Sequence, residues 1–232
     1  MSDRTILNPP THVGIIMDGN GRWATARNKD RSYGHKQGAK TIKDVALSIF
    51  DAGVKYLSLY AFSTENFKRP KKEVDELFSI LNKGIAEYGE LALKQGIKLT
   101  VSGDISALDD QLQNKIVEFE QKTAKFNQPV LNICLNYGAK QELCRAFSLM
   151  AKQGIVNPDE KTVDKFLFKP ELPPVDLVIR TGGEHRLSNF LLWQSAYAEI
   201  YFCDLLWPDF NKEEAVNALL WYQSRNRRFG NV

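Results

Sequence analysis

The sequence predicts an α/β fold: one domain built on a mostly parallel central β-sheet flanked by helices. Two observations predict it. Short apolar runs rich in β-branched residues alternate along the chain with longer segments of helical period. The 232 residues suit one large domain, and the only linker-like stretch, Lys169-Pro170-Glu171-Leu172-Pro173-Pro174, is too short to divide it. Strands are expected near 12–17, 56–62, 97–103, 130–135 and 175–180, and helices near 34–52, 71–95, 106–125, 138–153 and 211–224. A shorter helix is expected around 159–167. Strand–helix alternation argues for a sheet covered on both faces, with ligands beyond the carboxyl ends of its strands.

The first strand runs into Asp18-Gly19-Asn20-Gly21-Arg22-Trp23. Two glycines let backbone amides approach an anion closely, and an arginine fork suits phosphate oxygens. A carboxylate belongs beside a diphosphate only with a cation such as Mg²⁺ between them. Gly19, Gly21 and Ala24 also satisfy a dinucleotide fingerprint. That fingerprint needs an acidic residue roughly 20 positions on, at the end of a second strand. Here the region is Gly38-Ala39-Lys40-Thr41-Ile42-Lys43-Asp44, which reads as helix.

The second strand ends in Phe62-Ser63-Thr64-Glu65-Asn66-Phe67-Lys68-Arg69-Pro70. Ser63, Thr64 and Asn66 suit either a turn and cap or a substrate site. Pro70 can open the next helix, and Arg69 beside that helix start is disfavoured unless an anion binds there. In the following helix Val74, Leu77, Phe78, Leu81, Ile85, Tyr88 and Ala92 form one apolar stripe, which suits core packing or the wall of a greasy tunnel.

The strand near 175–180 leads into Arg180-Thr181-Gly182-Gly183-Glu184-His185-Arg186-Leu187-Ser188, a second cradle of arginines and glycines. Asp18, Ser63 and Arg180 each stand at the end of a predicted strand, so three distant segments should meet on one rim. Farther on, Glu199 stands in an apolar run, and a buried carboxylate needs a partner or a metal. With Asp18 it suggests a shared Mg²⁺ site.

Net charge is only +3, and no basic run is interleaved with aromatics, so nucleic acid is not an expected partner. Cys134, Cys144 and Cys203 are too scattered for a disulfide framework or zinc site and read as small buried hydrophobes, in keeping with a reducing cytoplasm. The first residues lack the apolar core of a signal peptide, and no apolar run reaches the roughly 18 residues of a membrane span.

The clusters at 12–23, 60–70 and 180–193, with Trp207-Pro208-Asp209-Phe210 and Arg227-Arg228-Phe229-Gly230, run in order nearly end to end. They resemble the cis-prenyltransferase family, in particular its bacterial undecaprenyl diphosphate synthases. The resemblance implies a cytoplasmic, Mg²⁺-dependent homodimer with a hydrophobic tunnel between sheet and helices. Its members add isopentenyl diphosphate repeatedly to farnesyl diphosphate, and the bacterial product is undecaprenyl diphosphate, precursor of the lipid carrier for cell-wall glycans. Contact with the membrane would be peripheral, through that product.

By the same resemblance Asp18 is the essential carboxylate, holding Mg²⁺ and helping the starter diphosphate to leave. Gly19, Asn20, Gly21, Arg22, Arg31 and His35 cradle that diphosphate. Arg180, Arg186 and Ser188 bind isopentenyl diphosphate, and Glu199 with His185 completes the metal environment. Ser63 and Asn66 lie near the condensing carbons, Trp23 and Phe67 border the prenyl chain, and Thr64, Glu65, Arg69 and Leu187 complete the substrate site. Asn66 is assigned in the family as the base; an amide is a poor one, so positioning or proton relay suits it better, with a diphosphate oxygen as acceptor.

The resemblance also makes residues 1–11 an N-terminal lead and 222–232 a tail whose Arg228 and Gly230 reach the dimer partner's active site. Asp109-Asp110 is followed by Gln111-Leu112-Gln113 and does not form the Asp-Asp-x-x-Asp motif of trans-prenyl synthases. Three departures leave the required groups in place. Phe67 stands where many bacterial members have tryptophan, Lys140 where arginine is usual, and Ser195 and Cys203 vary small or apolar positions. A different product length remains open. A non-catalytic partner subunit would be expected to lose Asp18 or the glycine cradle, which this chain keeps.

Overall fold

Strand β1 (His12–Ile16) is buried along its whole length, as an apolar strand covered on both faces must be. The computed structural model describes residues 5–227. In it β1 pairs with β2 (Tyr56–Ser63) on one side and β5 (Leu177–Arg180) on the other. With β3 (Lys98–Ser102), β4 (Val130–Tyr137) and β6 (Glu199–Phe202) they form one six-stranded sheet in the order β3-β4-β2-β1-β5-β6. All five pairings are parallel. The chain leaves β1 toward β2 and returns on the far side at β5. The carboxyl ends of β1 and β5 therefore flank a topological switch point, where doubly wound sheets open a crevice.

Alternation along each strand feeds two cores. Val13, Ile15, Leu57, Leu59, Ile133 and Ile179 face the larger one, which takes in residues of helices α2 (Arg31–Asp51), α3 (Lys71–Gln95), α4 (Asp110–Thr123) and α7 (Lys212–Gln223). Ile16, Cys134, Tyr137 and Val178 face the other, with Phe190, Leu191 and the start of α5 (Ala139–Lys152). The stripe on α3 packs mainly into the larger core, through Val74, Leu77, Ile85 and Ala92.

Several expectations shift. Residues 20–25, where no element is expected, form the short helix α1 (Asn20–Thr25), and α2 starts three residues before the expected 34. The two lie close because Gly34 and Gly38 face α1: a Cβ on Gly34 would stand 1.9 Å from the Asn20 carbonyl oxygen. The helix expected over 106–125 splits into a 3₁₀ turn (Ile105–Ala107) and α4, whose start Asp109 caps through the Leu112 amide at 2.9 Å. The helix expected over 159–167 is only α6 (Glu160–Asp164). Strand β6 reads in the sequence only as an apolar run around Glu199. Of the three cysteines only Cys134 is buried; Cys144 lies on the outer face of α5 and Cys203 is half-buried.

A polar chain crosses the sheet's interior. His12 Nδ1–H donates to the Pro173 carbonyl at 2.8 Å, so its Nε2 accepts from the Ser58 hydroxyl, also at 2.8 Å. Ser58 Oγ in turn accepts from Asn132 Nδ2, and Asn132 Oδ1 accepts from Ser102. Burial lowers the His12 pKa to about 4, so the ring is neutral.

Candidate active site

Gly19 turns the chain sharply after β1. Its φ of +113° is open to glycine, and a Cβ there would meet Leu206 backbone at 2.9 Å. The turn fixes Asp18 at the switch-point crevice. Its carbonyl accepts from the Thr181 hydroxyl at 2.7 Å and the Trp207 amide at 3.0 Å. Its carboxylate accepts from Arg180 at 2.8 Å and faces Arg22 at 3.4 Å.

Asp18, Ser63 and Arg180 meet as expected, on the wall of one cavity of about 400 Å³. Asn20, His35, Asn66, Arg69, Arg186 and Ser188 share that wall. Its apolar part comes from Ile42 of α2 and Leu77, Ile80 and Leu81 of α3, so the α3 stripe serves both core and cavity. Among the described residues, Asn20 Oδ1, His35 Nε2 and Arg180 Nε are buried without a hydrogen-bond partner, and all three residues line this cavity. Buried polar atoms left unpaired are costly, so three around one cavity mark a place that a polar ligand completes.

Arg180 is buried, with a side chain 4% exposed. It donates to Ser188 Oγ at 2.7 Å and to the Arg186 carbonyl, so the 180–188 loop is folded around it. Arg186 itself is exposed and pairs with Glu184 at 2.6 Å. At the end of β2 the Ser63 amide donates to Asn66 Oδ1 at 3.0 Å, completing a capping box over the 3₁₀ turn Thr64–Lys68. Asn66 is thus a cap, and what it has left for the cavity is its Nδ2 donor.

The anion that Arg69 called for is internal. Glu73, one turn into α3, receives Arg69 at 2.9 Å, Arg31 at 3.4 Å and His35 Nε2 at 3.8 Å, all on its Oε1. Burial, with the charges of Arg69 and Arg31, lowers His35 to about 4 against the pull of Glu73. His35 therefore enters the site neutral.

Other expected residues lie off the cavity wall. Trp23 donates to Asp209 at 2.7 Å, stacks on Tyr33 and lies under Arg27. Phe67 packs on Phe62 and Phe78 and is 44% exposed. Thr64 donates to Glu65, which accepts from Asn189 at 2.9 Å, and Leu187 packs against the second core. Arg31 lies over Gly21, where a Cβ would come within 2.8 Å of its guanidinium carbon. Arg228 and Gly230 fall outside the described residues.

The expected grouping of Asp18, Glu199 and His185 does not form within one chain. The register sets Glu199 level with Leu177 and Val13, whereas Asp18 follows Ile16, which is level with Phe202. Three residues of strand, about 10 Å, separate the two levels. Glu199 pairs instead with Arg225 at 3.4 Å, and His185 stacks on Phe202.

Among the described residues no group of three His, Cys, Asp or Glu side chains could hold a metal ion. Asp18 is the only carboxylate that those residues place on the cavity wall, and its side chain is 31% exposed. One accessible carboxylate fits Mg²⁺, which commonly takes one or two protein carboxylates and completes its shell with substrate phosphates and water.

Sequence reasoning missed Glu73 and Trp207, although the Arg69–Glu73 spacing of four was a readable signal. Trp207 lines the cavity and donates to the Gly38 carbonyl at 2.8 Å, a contact between segments that no local pattern announces.

Comparison with known proteins agrees with this geometry. A family model described as "Putative undecaprenyl diphosphate synthase" matches residues 16–230. The chain is 47% identical to an isoprenyl transferase of Leptospira interrogans, over 97% of this chain and 96% of that one. It is 45% identical to the ditrans,polycis-undecaprenyl-diphosphate synthase ((2E,6E)-farnesyl-diphosphate specific) of Pasteurella multocida, over 96% and 95%. Among solved structures it resembles lavandulyl diphosphate synthase from Lavandula x intermedia in complex with dimethylallyl diphosphate. The TM-score there is 0.91 at 34% identity, covering 96% of this chain and 99% of that one. A probable undecaprenyl diphosphate synthase from Campylobacter jejuni gives 0.83 at 35% identity, covering 97% and 100%. No helix among the described residues is long and apolar enough to cross a membrane. The chain belongs to the undecaprenyl diphosphate synthase family of cis-prenyltransferases.

Proposed function

We propose that this prenyltransferase condenses isopentenyl diphosphate stepwise onto farnesyl diphosphate, with Mg²⁺, to give undecaprenyl diphosphate. The observation that carries the reading is one cavity lined both by the cationic and polar groups of Arg69, Arg180, Arg186 and Ser188 and by apolar side chains of α2 and α3. A prenyl diphosphate has that polarity: a charged head and a greasy tail.

On its wall Arg69 and neutral His35 would hold the starter diphosphate, with Arg31 and the amides of α1 beside them and Arg22 beside Asp18. His35 Nε2 and the arginine forks donate to its oxygens. Arg180, Arg186 and Ser188 would hold the second diphosphate on the far side of Asp18. Asp18 would hold Mg²⁺, which when bound supplies charge neutralisation for the leaving diphosphate. Asn66 Nδ2 would orient the condensing unit as a donor, because its oxygen already caps the turn. The departing proton would go to a diphosphate oxygen. By strand register Glu199 lies too far from Asp18 in the same chain to join its metal set.

The pairing as a homodimer, the reach of Arg228 and Gly230 into a partner's site, a cytoplasmic location with peripheral membrane contact, and a role in supplying the carrier for cell-wall glycans belong to the same reading. Sequence identity of 45% to a farnesyl-specific relative supports the starter. A second reading, a shorter product, is favoured by the TM-score of 0.91 to a plant enzyme solved with dimethylallyl diphosphate. Product analysis with Mg²⁺, farnesyl diphosphate and labelled isopentenyl diphosphate decides between them. A ladder ending near eleven isoprene units supports the first; an earlier end supports the second. No condensation by folded protein sinks both.

A further inference from the structure

Three groups that would hold the starter diphosphate converge instead on one oxygen of Glu73: Arg69, Arg31 and His35. Their meeting point is where three donors would receive a phosphate oxygen. We propose that Glu73 is an internal counter-anion occupying the starter-diphosphate cradle, and that an incoming diphosphate must displace it. The proposal rests on reading Arg31, Arg69 and His35, of which Arg69 and His35 line the cavity, as the starter cradle.

Two features support displacement rather than a fixed strut. Glu73 engages the three groups unequally, with only Arg69 at a short 2.9 Å, while His35 Nε2 has no hydrogen-bond partner among the described residues. A buried donor left unsatisfied by the carboxylate already present has more to gain from a second anion. Position supplies the rest. Glu73 lies in the first turn of α3, where the helix N-terminus stabilises its charge. The same helix carries Leu77, Ile80 and Leu81 on the apolar wall of the cavity. A diphosphate carries more charge than a carboxylate and can bridge Arg31 and Arg69 at once. Glu73 thereby sets a threshold that weakly charged anions do not pass, and supplies a competitor that re-enters as inorganic diphosphate leaves.

The test is Glu73→Gln, measured by calorimetric titration with inorganic diphosphate and by steady-state kinetics. Displacement predicts diphosphate binding about tenfold tighter than in the unmodified protein, since one competing charge is gone. It also predicts a lower KM for the starter. A strut that preorganises the three donors predicts weaker binding and a higher KM; that result, or unchanged binding, overturns the proposal. Failure of the unmodified protein to bind diphosphate overturns instead the underlying reading of the site. Glu73→Asp, which withdraws the carboxylate by one methylene but keeps its charge at the helix start, should tighten binding by less. If the glutamine variant does not fold, tighter binding by the aspartate variant supports displacement, and weaker or unchanged binding overturns it.

Discussion

Asp18 and Arg180, 162 residues apart in the chain, meet at 2.8 Å across the crevice between β1 and β5. The pair joins an accessible carboxylate to a buried guanidinium, with side chains 31% and 4% exposed. Its two members therefore respond differently to substitution.

Asp18→Asn should lower turnover by about two to three orders of magnitude, the scale for losing a main charge-stabilising group, while leaving the fold intact. Asp18→Ala should also cost about 1–3 kcal/mol, because Arg180 loses its charged partner but keeps Ser188 and the Arg186 carbonyl. The double variant Asp18→Ala/Arg180→Met should recover part of that stability and none of the activity. Thermal melts and turnover assays check both; additive losses of stability would mean that the pair is not coupled.

Asn66 separates a cap from a substrate contact. Asn66→Asp keeps the oxygen that accepts from the Ser63 amide, so stability should hold while turnover falls with loss of the Nδ2 donor. Asn66→Ala should lose the cap as well, at a cost of about 1 kcal/mol. Equal activity in asparagine and aspartate forms would remove Asn66 from the substrate site.

Arg186 is exposed, and among the described residues its guanidinium binds only Glu184. Arg186→Ala should therefore leave the melting temperature within about a degree, as surface changes do. It should raise KM for isopentenyl diphosphate far more than KM for farnesyl diphosphate. A matched rise in both would undo the assignment of two separate cradles.

His12 makes stability depend on pH. Its pKa falls from 6.5 to about 4 on folding, so the unfolded chain binds more protons between those values. The contribution is fully present above pH 6.5 and is lost as pH falls toward 4. A shift of this size corresponds to roughly 3 kcal/mol. Urea unfolding at pH 7 and pH 5 should show the loss, and His12→Gln should flatten the slope. An unchanged slope in the variant would place the pH dependence elsewhere.

Much of this was legible in the sequence, for physical reasons. Five of six strands and the rim formed by Asp18, Ser63 and Arg180 follow from apolar runs and from the rule that such sheets bind ligands at their carboxyl ends. The sixth strand, β6, is four half-buried residues in an apolar run with no clear period. Helix α1 was hidden because Gly21 inside it and Gly19 just before it argue against a helix until Gly34 and Gly38 supply the surface it packs on. The neutral state of His35 and the three-way capture of Glu73 depend on burial and on α2 meeting α3, which local pattern does not encode. Glu199 was misplaced because a carboxylate in an apolar run does not reveal its register.

The central position of β1 has a consequence for synthesis. One edge of β1 is closed by β2, which starts at Tyr56, but the other waits for β5 at Leu177. At about 5–20 residues per second on the ribosome, the edge of His-Val-Gly-Ile-Ile has no native neighbour for roughly 8–30 seconds. An open apolar strand edge is a template for pairing with another chain. Every nascent molecule thus passes through a stage in which its future catalytic strand can be captured by a chaperone or by a neighbouring copy on the same message.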